Sequence, residues 1–238
     1  MTDYLLLIPT FNRGDLLIQA LRKMEAELLK TDSSCKAIIW NDGSHRTLDE
    51  YSKIDTQFKE KRFQVLQRRY RINRGRRGFW KTLSELMALA KAEKFRWAIM
   101  MPDDVLPCHN FFERVTKRFL ELQAEDHIKR VVAMNLICTL LRNWGRGRFV
   151  DNVFIAERAF FEAIGWVLKP ATGRWRDNPR MGSGTGNQMT QILANHRQYR
   201  IAPNQDCSWF RPLEVPSVMF QHDSRPLVWW RDNYVGEE

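Results

Sequence analysis

Between residues 4 and 101 the chain alternates four short apolar runs with segments whose apolar residues recur at helical spacing, and few architectures accept that rhythm. Residues 4–8 read as a buried strand ending at Pro9, and the loop Thr10-Phe11-Asn12-Arg13 leads out of it. A helical stripe follows, with Leu16, Leu17, Ala20, Leu21, Met24 and Leu28 on one face. Residues 36–40 form a second strand, closed by Asn41-Asp42-Gly43-Ser44, whose residues favour a tight turn. The pattern then predicts a helix over 47–58, a third strand over 63–66, a basic loop over 68–77, a helix over 79–92 and a fourth strand over 96–101. Strands and helices in turn imply an α/β fold: a mostly parallel sheet buried by helices on both faces. Beyond it lie a helix over 111–122, a strand over 130–138, a short helix over 158–164, a long loop over 168–186, a helix over 187–196 and a tail over 215–234.

The 238 residues, 44% hydrophobic and 28% charged, carry enough apolar material for one large domain and exclude a disordered chain. The opening MTDYLLLIPTFNR is too short in apolar residues to span a bilayer and lacks a cleavable leader, and no later run is long enough either. Cys35, Cys108, Cys138 and Cys207 stand far apart, which argues against a zinc site or a disulfide framework and for reduced cysteines in a cytoplasm. A net charge of +10 suggests a polyanionic partner, although a solvated basic surface has the same total. Nothing in the pattern fixes an oligomeric state.

The chemistry centres on Asp103 and Asp104, directly after the fourth strand. Adjacent carboxylates raise each other's pKa unless a cation lies between them, and Mg2+ or Mn2+ held by one or two carboxylates and a diphosphate would relieve the conflict. Asp also favours helix starts, so the pair alone fits a helix cap equally well. The ends of the other strands tip the balance, because 10–13, 42–44 and the arginine loop offer polar groups suited to a base, a ribose and a diphosphate. His222, after a further expected strand, is a candidate metal ligand or a structural histidine.

Ile8-Pro9-Thr10-Phe11-Asn12-Arg13, Asn41-Asp42-Gly43-Ser44 and Pro102-Asp103-Asp104, in this order and spacing, resemble the three landmarks of GT-A glycosyltransferases of the large family-two type. The resemblance implies a single GT-A domain over 1–238, with 1–107 binding the nucleotide sugar and 108–238 supplying the acceptor half and the tail. It implies a UDP-sugar donor and Mn2+ or Mg2+ as cofactor. The implied donor contacts are Pro9, Thr10, Asn12, Arg13, Asp42, Arg76, Arg77 and Asp103, with Asp104 as direct metal ligand and His222 in the place of a late histidine that reaches the metal or diphosphate. Residues 156–165 look like the family's segment before the acceptor site, and Tyr199-Arg200-Ile201 resembles its next strand. One departure matters. Where the family carries Glu-Asp, with the Asp as catalytic base, this chain reads Gly186-Asn187, and an amide takes no proton. Asp177 is the nearest acid in the same region and the substitute candidate; retention without a dedicated base, or lost activity, are the alternatives, so stereochemistry stays open.

Arginine recurs around Arg142, Trp144, Arg146 and Arg148 and again around Arg174, Trp175, Arg176 and Arg180, a pattern suited to phosphates and exposed bases, although a Trp beside arginines also anchors ordinary loops. The expected acceptor is therefore DNA, through the hydroxyl of a hydroxymethylated pyrimidine, and the chain resembles viral enzymes that glycosylate such bases in a host cytoplasm. Competing expectations are a bacterial transferase acting on a polysaccharide or lipid-linked acceptor, and an inactive nucleic-acid-binding protein on the same scaffold.

Overall fold

The computed structural model describes residues 1–125, 128–137, 153–170, 184–202, 207–213 and 235. In chain order these form β1 (Thr2–Thr10), α1 (Gly14–Leu29), β2 (Cys35–Asp42), α2 (Leu48–Gln57), β3 (Phe63–Tyr70), α3 (Gly75–Lys91), β4 (Phe95–Met100), β5 (Val105–Pro107), α4 (Phe111–Glu125), β6 (Arg130–Asn135), β7 (Phe154–Glu157), α5 (Arg158–Ala163), α6 (Thr185–Ala194), β8 (Tyr199–Ile201) and β9 (Phe210–Pro212). Seven strands make one sheet in the order β3-β2-β1-β4-β7-β6-β8, while β5 and β9 pair separately. The α/β class expected from the sequence is the one observed. The β1, β2, β3 and β4 ladders are parallel, and β7 runs antiparallel between β4 and β6.

Alternation along each strand splits the core in two. Tyr4, Leu6 and Ile8 face one layer with Ala37, Ile39, Trp97 and Ile99, against α1, α2 and α4. Leu5 and Leu7 face the other with Ile38, Ala98 and Met100, against α3, α5 and α6. Strands buried on both faces have no polar side, which is why they stand out in the sequence as apolar runs.

The basic loop expected over 68–77 is much shorter. β3 continues through Arg68 and Arg69 to Tyr70, pairing Arg69 with Asn41 and Tyr70 with Asp42, and α3 opens at Gly75. β3 is an edge strand, where charged side chains reach solvent without cost and the ladder decides the conformation. The sequence gives no sign of β7, β5 and β9, since three or four residues carry no readable period. The strand expected over 130–138 leaves the ladder at Asn135, and the helix expected from 187 begins at Thr185, after Gly184 at φ +70°.

Cys35 and Cys108 are buried free thiols, and Cys207 is half-buried. Burial pushes Cys108 up to about 11, which keeps it protonated and inert. Cys138 and the tail over 215–234 lie outside the described residues. Among the described residues no helix is long and apolar enough to cross a membrane.

Candidate active site

The strand order reverses between β1 and β4, since β2 and β3 extend the sheet on one side of β1 and β4 lies on the other. In such sheets the crevice beyond the strand ends at this switch point is where ligands bind. Register sets what meets there. Leu7 pairs with Met100, and the Met101 amide donates to the Leu7 carbonyl at 3.1 Å. Three residues further on each strand stand Thr10 and Asp103, and the Thr10 hydroxyl donates to Asp103 Oδ2 at 2.6 Å. The helix-cap alternative for the carboxylate pair falls, because Asp103 and Asp104 lead into β5 and no helix starts before Phe111.

A directed chain of hydrogen bonds ends on Asp103. With its proton given to the carboxylate, Thr10 Oγ1 must accept from Tyr51 Oη, 2.6 Å away, and Tyr51 Oη in turn accepts from the Arg13 amide at 3.2 Å. Tyr51, which the sequence shows only as an apolar position on α2, is the residue that sequence reasoning misses. The available signal was that a buried tyrosine hydroxyl needs a partner. Arg13 adds its guanidinium: Nη1 lies 2.6 Å from Asp104 Oδ2 and 3.3 Å from Asp103 Oδ1. Burial nevertheless pushes Asp103, 4% exposed, up to about 6, and the Asp104 charge adds to the rise against the pull of Arg13 and Thr10. Burial also raises Asp104, opposed by Arg13. The Asp104 carbonyl accepts from the Leu213 amide at 2.8 Å, and the Cys108 amide donates to the Trp209 carbonyl at 2.9 Å, so the β5–β9 ribbon clasps the segment after the pair.

The first two loops are fastened to each other. Asn12, at φ +56°, accepts the amides of His45 at 2.8 Å and Arg46 at 2.9 Å through its side-chain oxygen, and its own amide donates to Ser44 Oγ at 2.8 Å. Thr47 Oγ1 accepts from the Gly14 amide at 3.0 Å, capping α1 from a distance. Pro9, half-buried, sits opposite Trp40 near the end of the ladder.

Asp42 closes the other flank. Its Oδ2 accepts from the Arg74 amide at 3.2 Å and from Asn73 Nδ2 at 3.4 Å. Its Oδ1 is buried and receives no hydrogen bond among the described residues; the Thr82 hydroxyl approaches the carboxylate without completing one. Burial raises its pKa against the pull of Arg74. The Arg74 guanidinium lies 3.8 Å from the centre of the Tyr70 ring and 5.7 Å from that of Trp40, with its buried Nη1 also unpartnered among the described residues. Arg76 and Arg77 lie in the first turn of α3, just after its N-terminus at Gly75, and their side chains are outside those described.

Thr10 and Arg13 thus both meet Asp103, and Arg13 also meets Asp104, with Asn12 on the adjoining loop and Asp42 at the end of β2. The donor set, two carboxylates and a hydroxyl, consists of hard oxygens suited to Mg2+ or Mn2+. Among the described residues no third Asp, Glu, His or Cys joins them. His222, Asp177, Arg142, Trp144, Arg146, Arg148, Arg174 and Arg176 lie outside the described residues.

No family model matches the chain, and no curated protein matches its sequence. Solved structures match its fold. The mannosyltransferase PcManGT from Pyrobaculum calidifontis, in complex with GDP-Man and Mn2+, aligns with a TM-score of 0.55 at 14% identity, over 84% of this chain and 54% of its own. S. aureus TarS 1-349, in complex with UDP-GlcNAc, aligns with a TM-score of 0.58 at 8% identity, over 93% of this chain and 61% of its own. The chain has the GT-A fold. It spans between half and two thirds of the length of these two GT-A structures. Within the GT-A sheet, the Asp103–Asp104 pair stands at the switch point, beside the β1 and β2 loops.

Proposed function

We propose that this GT-A chain is a glycosyltransferase that moves a sugar from a UDP-sugar to a hydroxyl acceptor, with Mn2+ or Mg2+ as cofactor. The observation that carries the reading is the buried carboxylate pair at the switch point, wired to Thr10 and Arg13. Both solved GT-A structures hold a nucleotide sugar, one of them with Mn2+, which supports it further. In this reading Asp104 holds the cation, joined by His222, and Asp103 faces the donor. A bound divalent cation would offset the charge that develops on the departing diphosphate. Arg76 and Arg77, in the first turn of α3, hold phosphate oxygens where the helix N-terminus also favours them. Pro9, Thr10, Asn12 and Arg13 wall the donor side.

Uridine is favoured over guanosine by the state of Asp42. One carboxylate oxygen is already engaged by Arg74 and Asn73, and one buried oxygen is left over. A single unpaired acceptor, reached once the groups that cover it part, suits uracil, with one ring N–H; guanine presents a ring N–H and an amino group to the same side. The unpartnered Arg74 Nη1 supplies a donor for a base carbonyl.

For the acceptor we propose a hydroxymethylated pyrimidine in DNA, with Asp177 as the base that takes the hydroxyl proton. The support is the net charge of +10 and the two arginine and tryptophan clusters at 142–148 and 174–180. A polysaccharide or lipid-linked acceptor is the second reading, with which the likeness in fold to a sugar transferase is equally compatible.

The test is a transfer screen with UDP-glucose, UDP-GlcNAc and GDP-mannose in Mn2+, offering plain and hydroxymethylated duplex DNA. Transfer from a UDP-sugar to the modified duplex alone is the expected result. Donor hydrolysis without transfer removes the DNA acceptor and favours the second reading. DNA binding without turnover of any donor overturns the enzyme and leaves a nucleic-acid-binding protein, as Asn187 in the place of the family's base would then explain.

A further inference from the structure

We propose that Arg13 is a resident counter-cation of the Asp103–Asp104 pair, which gives up its place to the divalent metal and turns to the donor diphosphate, so that this one side chain couples metal binding to donor binding. The inference rests on the metal-dependent reading of the same site.

The pair needs a positive charge. Two adjacent carboxylates lie in a buried setting, and a single nitrogen, Arg13 Nη1, reaches oxygens of both. A divalent ion bound by the same oxygens and a guanidinium beside it would repel each other across the carboxylates they share. The two cations are therefore competitors for one acidic site.

The pair is built to survive the exchange. Asp103 keeps its place without the guanidinium, because the Tyr51-Thr10 relay already holds Oδ2. The loop that carries Arg13 is pinned by its backbone: its amide donates to Tyr51, its carbonyl accepts the Leu17 amide at 2.9 Å, and the next amide is held by Thr47. The side chain, 33% exposed beside the crevice, is the part of Arg13 that the exchange moves. A guanidinium released there meets the donor's phosphates, whose oxygens match its planar fork.

Two titrations test this: Mn2+ binding without nucleotide, read by the electron paramagnetic resonance of free Mn2+, and UDP binding in saturating Mn2+, read by calorimetry. Arg13→Met is expected to bind Mn2+ alone about tenfold more tightly than the parent and UDP about tenfold more weakly, the size of a typical coupling between linked sites. Arg13→Lys, which keeps the charge, is expected to stay near the parent in both, and a native melting profile for each variant confirms that it is folded. Mn2+ affinity in Arg13→Met no higher than in the parent overturns the proposal. So does an unchanged UDP affinity. If parent and variants bind no Mn2+ even with UDP present, the metal-dependent reading falls with it.

Discussion

At the scale of single residues, Asp103 is the most exacting group in the chain. Its carboxyl is pushed up to about 6 by burial and by Asp104, well above the usual carboxylate range near 4. The folded chain therefore holds this proton more tightly than the unfolded one. Below about pH 4 both forms are protonated and the site imposes nothing; as the pH rises through 6 the folded form loses a proton it favours, and stability falls. Asp103→Asn, which keeps an acceptor for Thr10, is expected to raise the unfolding free energy by about 1–3 kcal/mol at pH 7.5 and by far less at pH 4. Denaturant melts at the two pH values check it, and an equal effect at both would mean that the buried negative charge is not what costs stability. The carboxylate pair was legible because its residue types are unusual after an apolar strand, and its contact with Thr10 follows from register alone. Tyr51 was not legible, since its ring behaves as core and only its hydroxyl reaches the site. Arg74 was hidden among neighbouring arginines, and only its position over Tyr70 separates it from them.

At the scale of elements, the site depends on two turns pressed together. Gly43 sits at φ +76°, and a β-carbon there would lie 2.5 Å from the Asn73 nitrogen and 2.6 Å from the Ile72 carbonyl carbon. No side chain fits without driving the β2 turn away from the segment that enters α3. Gly43→Ala is expected to cost about 1–3 kcal/mol from the left-handed backbone alone, with the steric conflict in addition. The same change should weaken UDP binding, because Asp42 and Arg74 lose their registry; urea melts and a nucleotide titration read the two effects. Undiminished UDP binding would show that the two turns act independently. The sequence revealed a turn at Asn41-Asp42-Gly43-Ser44 but held no sign of what packs on it, because close approach between distant segments leaves no local pattern. The short antiparallel strands escaped for a related reason: three or four residues hold too few alternations to be told from loop.

At the scale of the whole molecule, the order β3-β2-β1-β4-β7-β6-β8 places β1 and β4 at the centre and β3 and β8 at the edges. Hydrogen exchange should follow that order. The amides of β1 and β4, covered on both faces and paired on both sides, are expected to be the slowest, and those of β3 and β8 to exchange sooner through local opening. Exchange in β3 as slow as in β1 would mean that the edge left unpaired among the described residues is covered. The class of the sheet was readable because buried parallel strands are apolar throughout, and past 101, where alternation loosens, the short strands lose that signature. The clasp between β5 and β9 has a consequence in time. As a chain emerges during synthesis, β1 to β4 can pair early, but Asp104 meets its backbone partner only when Leu213 arrives. A chain released before that point would carry the carboxylate pair, with Asp103 already held by Thr10, but without the β9 partner of the Asp104 carbonyl, so the segment after the pair is clasped only once a strand more than a hundred residues downstream has arrived.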